Sequence, residues 1–119
     1  MDNSLKYTCW FGGGAIRGIA YIGAIKAFEE LGLVSDTFAG SSVGSIFASL
    51  LAVGYTSNEL KQIFAKVNFE LFRDIAIGVG PLFALSKGEV FLEWLRELIE
   101  KKFYGDKYKK GENRAVTFK

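Results

Sequence analysis

Histidine is absent from the 119 residues, and cysteine, proline and methionine occur once each. Without imidazole, a Ser-His-Asp triad and a His-ligated metal site are excluded within these residues, and Cys9 alone cannot make up a structural zinc site. One cysteine also excludes an intramolecular disulfide, and its place in an apolar run reads as a buried structural thiol. No sign of charge dominates. Fifteen basic and 13 acidic residues give a net +2, so no global field draws nucleic acid. No apolar run is long enough to span a bilayer. The longest, residues 43–55, contains Gly and Ser and suits a buried helix. The opening MDNSLKYTCWFGGG has neither the basic nor the long apolar region of a signal peptide. The expectation is a cytoplasmic protein whose membrane contact, if it has any, is peripheral.

What is present is enough for a core: half of the residues are hydrophobic and 15% aromatic, at the length of one small domain. Charge is unevenly spread. Residues 101–119 hold seven basic and two acidic residues, against eight and eleven in residues 1–100. This reads as a solvated helix end and loop, with attraction to an anionic surface as the alternative.

Residues 6–11 (KYTCWF) favour a strand that stops at three glycines. Residues 17–31 place apolar side chains at 19, 22, 25 and 28, a helical spacing, with Gly32 as a stop. A short strand over 36–40 leads into an almost wholly apolar helix over 42–53, stopped by Gly54. Thr56-Ser57-Asn58-Glu59 is a capping box that opens a helix to about Val67. A short helix over 68–76 is a further expectation. Residues 77–85 (IGVGPLFAL) read as an apolar loop, a buried connector or the lining or cover of an apolar ligand site. Ser86-Lys87-Gly88-Glu89 reads as a second capping box opening a helix to Phe103, apolar at 90, 91, 94, 95, 98 and 99 and closed by Gly105. Residues 114–119 read as a strand or its approach. The order β-α-β-α followed by helices begins an α/β fold with a parallel sheet. Two or three strands cannot cover that sheet, so residues 1–119 read as part of a larger domain.

Two glycine clusters carry the chemistry. In FGGGAIRG, residues 11–18, glycines between a strand and a helix let backbone N–H groups converge beside a helix N-terminus, which stabilises an anion. Phosphate readings fail in detail. A dinucleotide fingerprint from Gly12 needs glycine where Arg17 stands, and a P-loop from Gly13 to Gly18 is followed by Ile19-Ala20 in place of Lys and Ser/Thr. The second cluster, Gly40-Ser41-Ser42-Val43-Gly44, is G-x-S-x-G at a strand-to-helix junction, the nucleophile-elbow pattern. Ser41 or Ser42 as a mere N-cap is the competing reading. Parallel strands bring both clusters to one sheet edge, where a nucleophile beside amides is an acyl-transfer arrangement. By strand alternation, Ser41 should point away from that crevice.

Taken together, Gly12-Gly13-Gly14-Ala15-Ile16-Arg17-Gly18, the helix IAYIGAIKAFEELGL and FAGSSVGSI closely resemble the N-terminal part of patatin-like phospholipases. The resemblance is strong over about residues 6–55 and weaker through LSKGEVFLEWLREL to VTF. It implies a three-layer α/β/α fold with a mainly parallel central sheet, of which this chain is an incomplete N-terminal portion. It also implies a serine lipid acyl hydrolase of the phospholipase A or lysophospholipase kind, working through a Ser-Asp dyad on lipid esters, with no cofactor and no metal. Carried over by position, Ser42 is the nucleophile and the amides of Gly13, Gly14 and Ala15 form the oxyanion hole. Gly12, Arg17, Gly18, Gly40 and Gly44 support them. The family's aspartate lies in a later Asp-Gly-Gly or Asp-Gly-Ala motif, which this sequence lacks. Its aspartates are Asp2, Asp36, Asp74 and Asp106. A degenerate, non-catalytic module that binds lipid or a protein is the alternative.

Overall fold

Aromatic and β-branched residues give KYTCWF its extended form, and in the computed structural model, which describes residues 6–67 and 81–117, it is strand β1 (Lys6–Phe11). Strand β2 (Val34–Gly40) pairs with it in parallel, and together they form the two-stranded sheet of an α/β arrangement. The register runs Lys6↔Val34 and Tyr7↔Ser35, then slips, so that Thr8 meets Thr37 and Phe11 meets Gly40. The residue passed over is Asp36, whose carboxylate pairs with Lys6 at 3.2 Å on the surface. Because of that slip both strands end level, and the two glycine clusters leave the sheet side by side.

The connection is a 3-10 turn (Ala15–Ile19) running into helix α1 (Ala20–Glu30), so the helix begins later than the apolar spacing suggests. Its inner face is also turned. Ile25 is buried and Tyr21 and Ile22 lie against the core, while Ile19 and Phe28 are exposed. Helix α2 (Val43–Ala52) buries Val43, Gly44, Ile46, Phe47, Ala48 and Leu50, as its composition requires. Gly32 and Gly54, at positive φ, follow the ends of α1 and α2.

Helix α3 (Ser57–Lys66) starts at the expected capping box: Glu59 N–H donates to Thr56 Oγ1, and Thr56 N–H donates to Glu59 Oε2 at 2.8 Å. Glu29 on α1 accepts from both the backbone N–H and the hydroxyl of Ser57, tying α1 to the start of α3. Thr56→Ala should cost about 1 kcal/mol in urea denaturation. A variant as stable as the parent would mean that the neighbouring Lys102–Glu59 pair at 2.6 Å holds this helix start alone. A hydrogen bond from Lys102 holds the Glu59 carboxyl below its usual range. Its contribution is therefore full above the unfolded value and lost as acid titrates the lowered folded one. With the Glu59 side chain 39% exposed, solvent screening limits that contribution to about 0.5 kcal/mol.

Helix α4 (Pro81–Tyr104) corrects the reading of residues 77–89. Residues 81–85 are helical, not loop, and the Ser86–Glu89 capping pattern lies inside the helix. Proline suits a first helical turn because its missing N–H would have no intrahelical partner there, and a longer packed helix overrides a local capping signal. Residues 77–80 and the short helix expected over 68–76 lie outside the described residues. Phe91, Trp94, Leu95, Leu98 and Ile99 pack on the core, but Val90 is 57% exposed and does not belong to that stripe. Gly105, at φ 54, follows the helix as expected. Residues 114–117 form no strand.

The core joins these elements through edge-on and stacked rings. Phe11 meets Tyr21 at 5.1 Å, Tyr21 meets Phe47 at 5.6 Å, and Phe47 stacks on Phe64 at 5.0 Å. Four lysines of the basic segment are ion-paired: Lys101 and Lys110 with Glu97, Lys102 with Glu59, and Lys109 with Glu112. That arrangement agrees with a solvated helix end.

Candidate active site

Where β2 gives way to α2, the chain turns within Ser41 and Ser42. Ser42 has φ 53 and ψ −129, and among the described residues it is the sole non-glycine at positive φ. An L-residue there crowds its own Cβ against the backbone, a conformation that persists only where the surroundings impose it. Those surroundings are two backbones in contact. A Cβ on Gly40 would collide with the Gly44 carbonyl and lie 2.6 Å from Ser45 N. A Cβ on Gly44 would collide with the Phe11 carbonyl and lie 2.7 Å from Gly12 O. The G-x-S-x-G spacing is therefore a steric requirement of this turn.

Ser42 stands at the N-cap position of α2, yet its side chain makes no capping hydrogen bond. The helix start is tied otherwise: Gly44 N–H donates to Ser41 O at 2.9 Å, and Ser45 donates to Ser42 O from both N–H (3.0 Å) and hydroxyl (2.6 Å). The N-cap reading thus fails for Ser42, which is exposed to solvent.

The glycine loop lies against it. Ser41 N–H donates to Phe11 O at 3.0 Å, joining the two strand ends. A Cβ on Gly13 would sit 3.3 Å from Ser42 Cβ. Ser41 Oγ is 3.8 Å from the same point, so Ser41 does not turn away from the loop as strand alternation predicts. The positive φ at Ser42 interrupts that alternation. Gly13 and Gly14 are exposed beside Ser42, and Gly14 O accepts from Arg17 N–H at 3.0 Å, opening the 3-10 turn that contains Ala15. Gly18 packs on α2, where a Cβ would come 2.7 Å from Val43 Cγ2. The Arg17 side chain is exposed.

Tyr21 was not among the residues singled out from the sequence. Its hydroxyl donates to Gly12 O at 2.8 Å, holding the loop from behind. The available signal was a hydroxyl-bearing aromatic one helical turn past a glycine loop.

No described aspartate serves Ser42. Asp36 lies about 20 Å back along an extended strand. Hydrogen bonds from Lys6, then Thr37, hold its carboxyl below the usual range. Asp106 follows α4, whose end reaches Glu59 and Gly54 beyond the far end of α2, about 15 Å of helix from Ser42. Asp2 and Asp74 lie outside the described residues. A separate cavity of about 720 Å³ runs along β1 between α1 and the end of α2, lined by Cys9, Phe11, Ile25, Phe38, Leu51 and Tyr55 among others. Neither Ser42 nor Gly12–Gly14 lines it.

Comparison with known proteins matches residues 10–118 to the sequence model of the family described as Patatin-like phospholipase. An uncharacterized protein of Bacillus subtilis (strain 168), YqhO, is 32% identical over 121 residues, covering 90% of this chain and 41% of that protein. Lysophospholipase NTE1 of Coccidioides immitis is 54% identical over 41 residues, 34% of this chain and 3% of that protein. The Kluyveromyces lactis protein of the same name is 41% identical over 56 residues, 47% of this chain and 4% of that one. The chain thus spans about two fifths of the Bacillus relative and a few per cent of the fungal ones. No solved structure gives a significant match.

Proposed function

This chain belongs to the patatin-like phospholipase family, and from that premise we propose that it carries the nucleophile and oxyanion-binding half of a lipid acyl hydrolase. The observation that carries this reading is Ser42 itself: strained, exposed, uncapped and set against Gly13. Ser42 Oγ attacks the carbonyl carbon of a fatty-acyl ester. The developing oxyanion accepts from the amides of Gly13, Gly14 and Ala15, whose fixed dipoles need no reorganisation as the charge forms. An aspartate takes the Ser42 proton and returns it to the departing alcohol. Water then cleaves the acyl-serine by the same route. Arg17 adds positive charge beside the loop. In this reading residues 12–18 are the oxyanion loop and 40–44 the nucleophile elbow of one domain, and the aspartate comes from polypeptide beyond these residues.

The substrate class follows from the family and from relatives named lysophospholipases: an ester of a fatty acid with a glycerophospholipid or lysophospholipid. Such substrates sit in bilayers or micelles, so contact with the lipid surface is peripheral in this proposal. Among the described residues no helix is long and apolar enough to cross a membrane.

A second reading, a binding module without catalysis, is favoured by the lack of a suitably placed aspartate among the described residues and by the apolar cavity along β1. Assaying lysophospholipid and nitrophenyl-ester hydrolysis by the 119-residue chain and by a polypeptide extended through an Asp-Gly-Gly or Asp-Gly-Ala motif separates the two. The extended form should turn over and the short chain should not. Turnover by the short chain that Ser42→Ala removes would place the base within these residues. No Ser42-dependent turnover in either form would favour the binding module.

A further inference from the structure

The peptide unit joining Gly12 to Gly13 is planar and trans, so its carbonyl and its N–H point in opposite directions. Whatever holds Gly12 O therefore also aims the Gly13 N–H. Gly12 O is held on the protein side: it accepts from the Tyr21 hydroxyl at 2.8 Å and sits close against Gly44. The Tyr21 ring lines the cavity along β1 and is held from the core side, where it meets Phe11 edge-on at 5.1 Å and Phe47 edge-on at 5.6 Å. Both of those rings belong to buried residues, which anchors the half-buried Tyr21 ring to the core. The N–H of the same peptide belongs to Gly13, an exposed residue whose would-be Cβ lies 3.3 Å from Ser42 Cβ.

We propose that Tyr21 is a positioning residue for the oxyanion loop, its hydroxyl fixing the Gly12–Gly13 peptide so that the Gly13 N–H faces the acyl oxygen at Ser42. The inference rests on the hydrolase reading and deepens it. Glycines flank this peptide, so local sterics do little to choose between its two orientations. Flipped, it would present a carbonyl oxygen to the developing oxyanion, exchanging a stabilising dipole for a repulsive one. The Tyr21 hydroxyl selects one orientation in the free enzyme, before substrate arrives.

The test is Tyr21→Phe in the extended, active polypeptide, which removes one oxygen and keeps the ring contacts. Turnover is expressed per site titrated to completion by a fluorophosphonate, which bonds phosphorus to Ser42 Oγ and releases fluoride, so unfolded protein is not counted. The expected kcat loss is about 10- to 100-fold, at or below the 10²–10³ typical of deleting an oxyanion donor, because the loop still samples the correct orientation. KM stays within about two-fold, since the interaction grows in the transition state. The rate of phosphonylation should fall in parallel, because it builds negative charge on an oxygen in the same place. A variant with unchanged kcat per titrated site, or one whose melting temperature alone falls, would overturn the proposal. Should Ser42→Ala retain the parent's hydrolysis, the reading of Ser42 as the nucleophile would fall and the role of Tyr21 with it. Ser42-dependent turnover with full activity in Tyr21→Phe would remove only the positioning role.

Discussion

Ser42→Ala is expected to lower ester hydrolysis by the extended enzyme by about 10⁴-fold or more, and Ser42→Gly by as much, while the two variants differ in stability. The first expectation follows from covalent chemistry: without Oγ no acyl-enzyme forms, and only the oxyanion site and substrate binding remain to accelerate water attack. The second follows from the backbone. Alanine inherits the φ of 53 that serine adopts, whereas glycine lacks the Cβ that makes this conformation costly. The strain is worth about 1–3 kcal/mol. Glycine returns about 0.5–1 kcal/mol of that through the greater freedom of its unfolded chain. Ser42→Gly should therefore be about 1 kcal/mol more stable than Ser42→Ala in urea denaturation. Hydrolysis surviving in both variants would place the nucleophile elsewhere. A glycine variant less stable than the alanine one by about 0.5–1 kcal/mol, the entropic difference alone, would mean the turn carries no strain. A serine essential for activity, at a position whose backbone accommodates glycine better than alanine, is held in place for chemistry.

The parts of this site that are legible in the sequence are those where backbone shape depends on residue type within a few positions. Glycines at 40 and 44 announce two chains in contact, and the capping box at 56–59 forms as its residues dictate. What escapes is set by distant neighbours. The slip in register at Asp36 depends on β1 as much as on β2, and nothing in VSDTFAG marks it, yet it brings Gly40 level with Phe11. The inner face of α1 is decided by rings on β1 and α2, so Tyr21 turns inward while Ile19, in the apolar spacing, is left exposed. The start of α4 differs from the expected one because the Ser86–Glu89 pattern is local and the packing of Phe91 and Trp94 is not. The same limit applies to catalysis. In the proposed mechanism the glycine loop and the elbow can be read because each is short, whereas the base would be a long-range partner.

Gly44→Ala should be, with Gly40→Ala, among the most damaging single-methyl changes in the described structure, costing about 3 kcal/mol or more and removing hydrolysis even where the fold survives. Its Cβ would occupy space held by the Phe11 carbonyl and lie 2.7 Å from Gly12 O. Neither side can yield cheaply. On one side, α2 is anchored next to Gly44 by Val43, Ile46 and Phe47, all buried, so tilting the helix away would open the core. On the other, Phe11 is buried and Phe11 O accepts from Ser41 N–H at 3.0 Å, so moving β1 breaks the tie between the strand ends. Overpacking a well-filled site typically costs about 1–3 kcal/mol, and more where the clash is with backbone. Any relaxation passes through Gly12, and with it the peptide that carries the Gly13 amide. Gly23→Ala supplies the internal contrast. That glycine lies in α1 with nothing within 4 Å of its would-be Cβ, so alanine should raise stability by about 1 kcal/mol through helix propensity and leave kcat unchanged. The pair is measured by urea denaturation and steady-state turnover. A Gly44→Ala protein within about 1 kcal/mol of the parent and still active would mean that α2 does not press on the β1 terminus. The close approach that holds Ser42 beside the glycine loop would then not be what selects glycine at position 44.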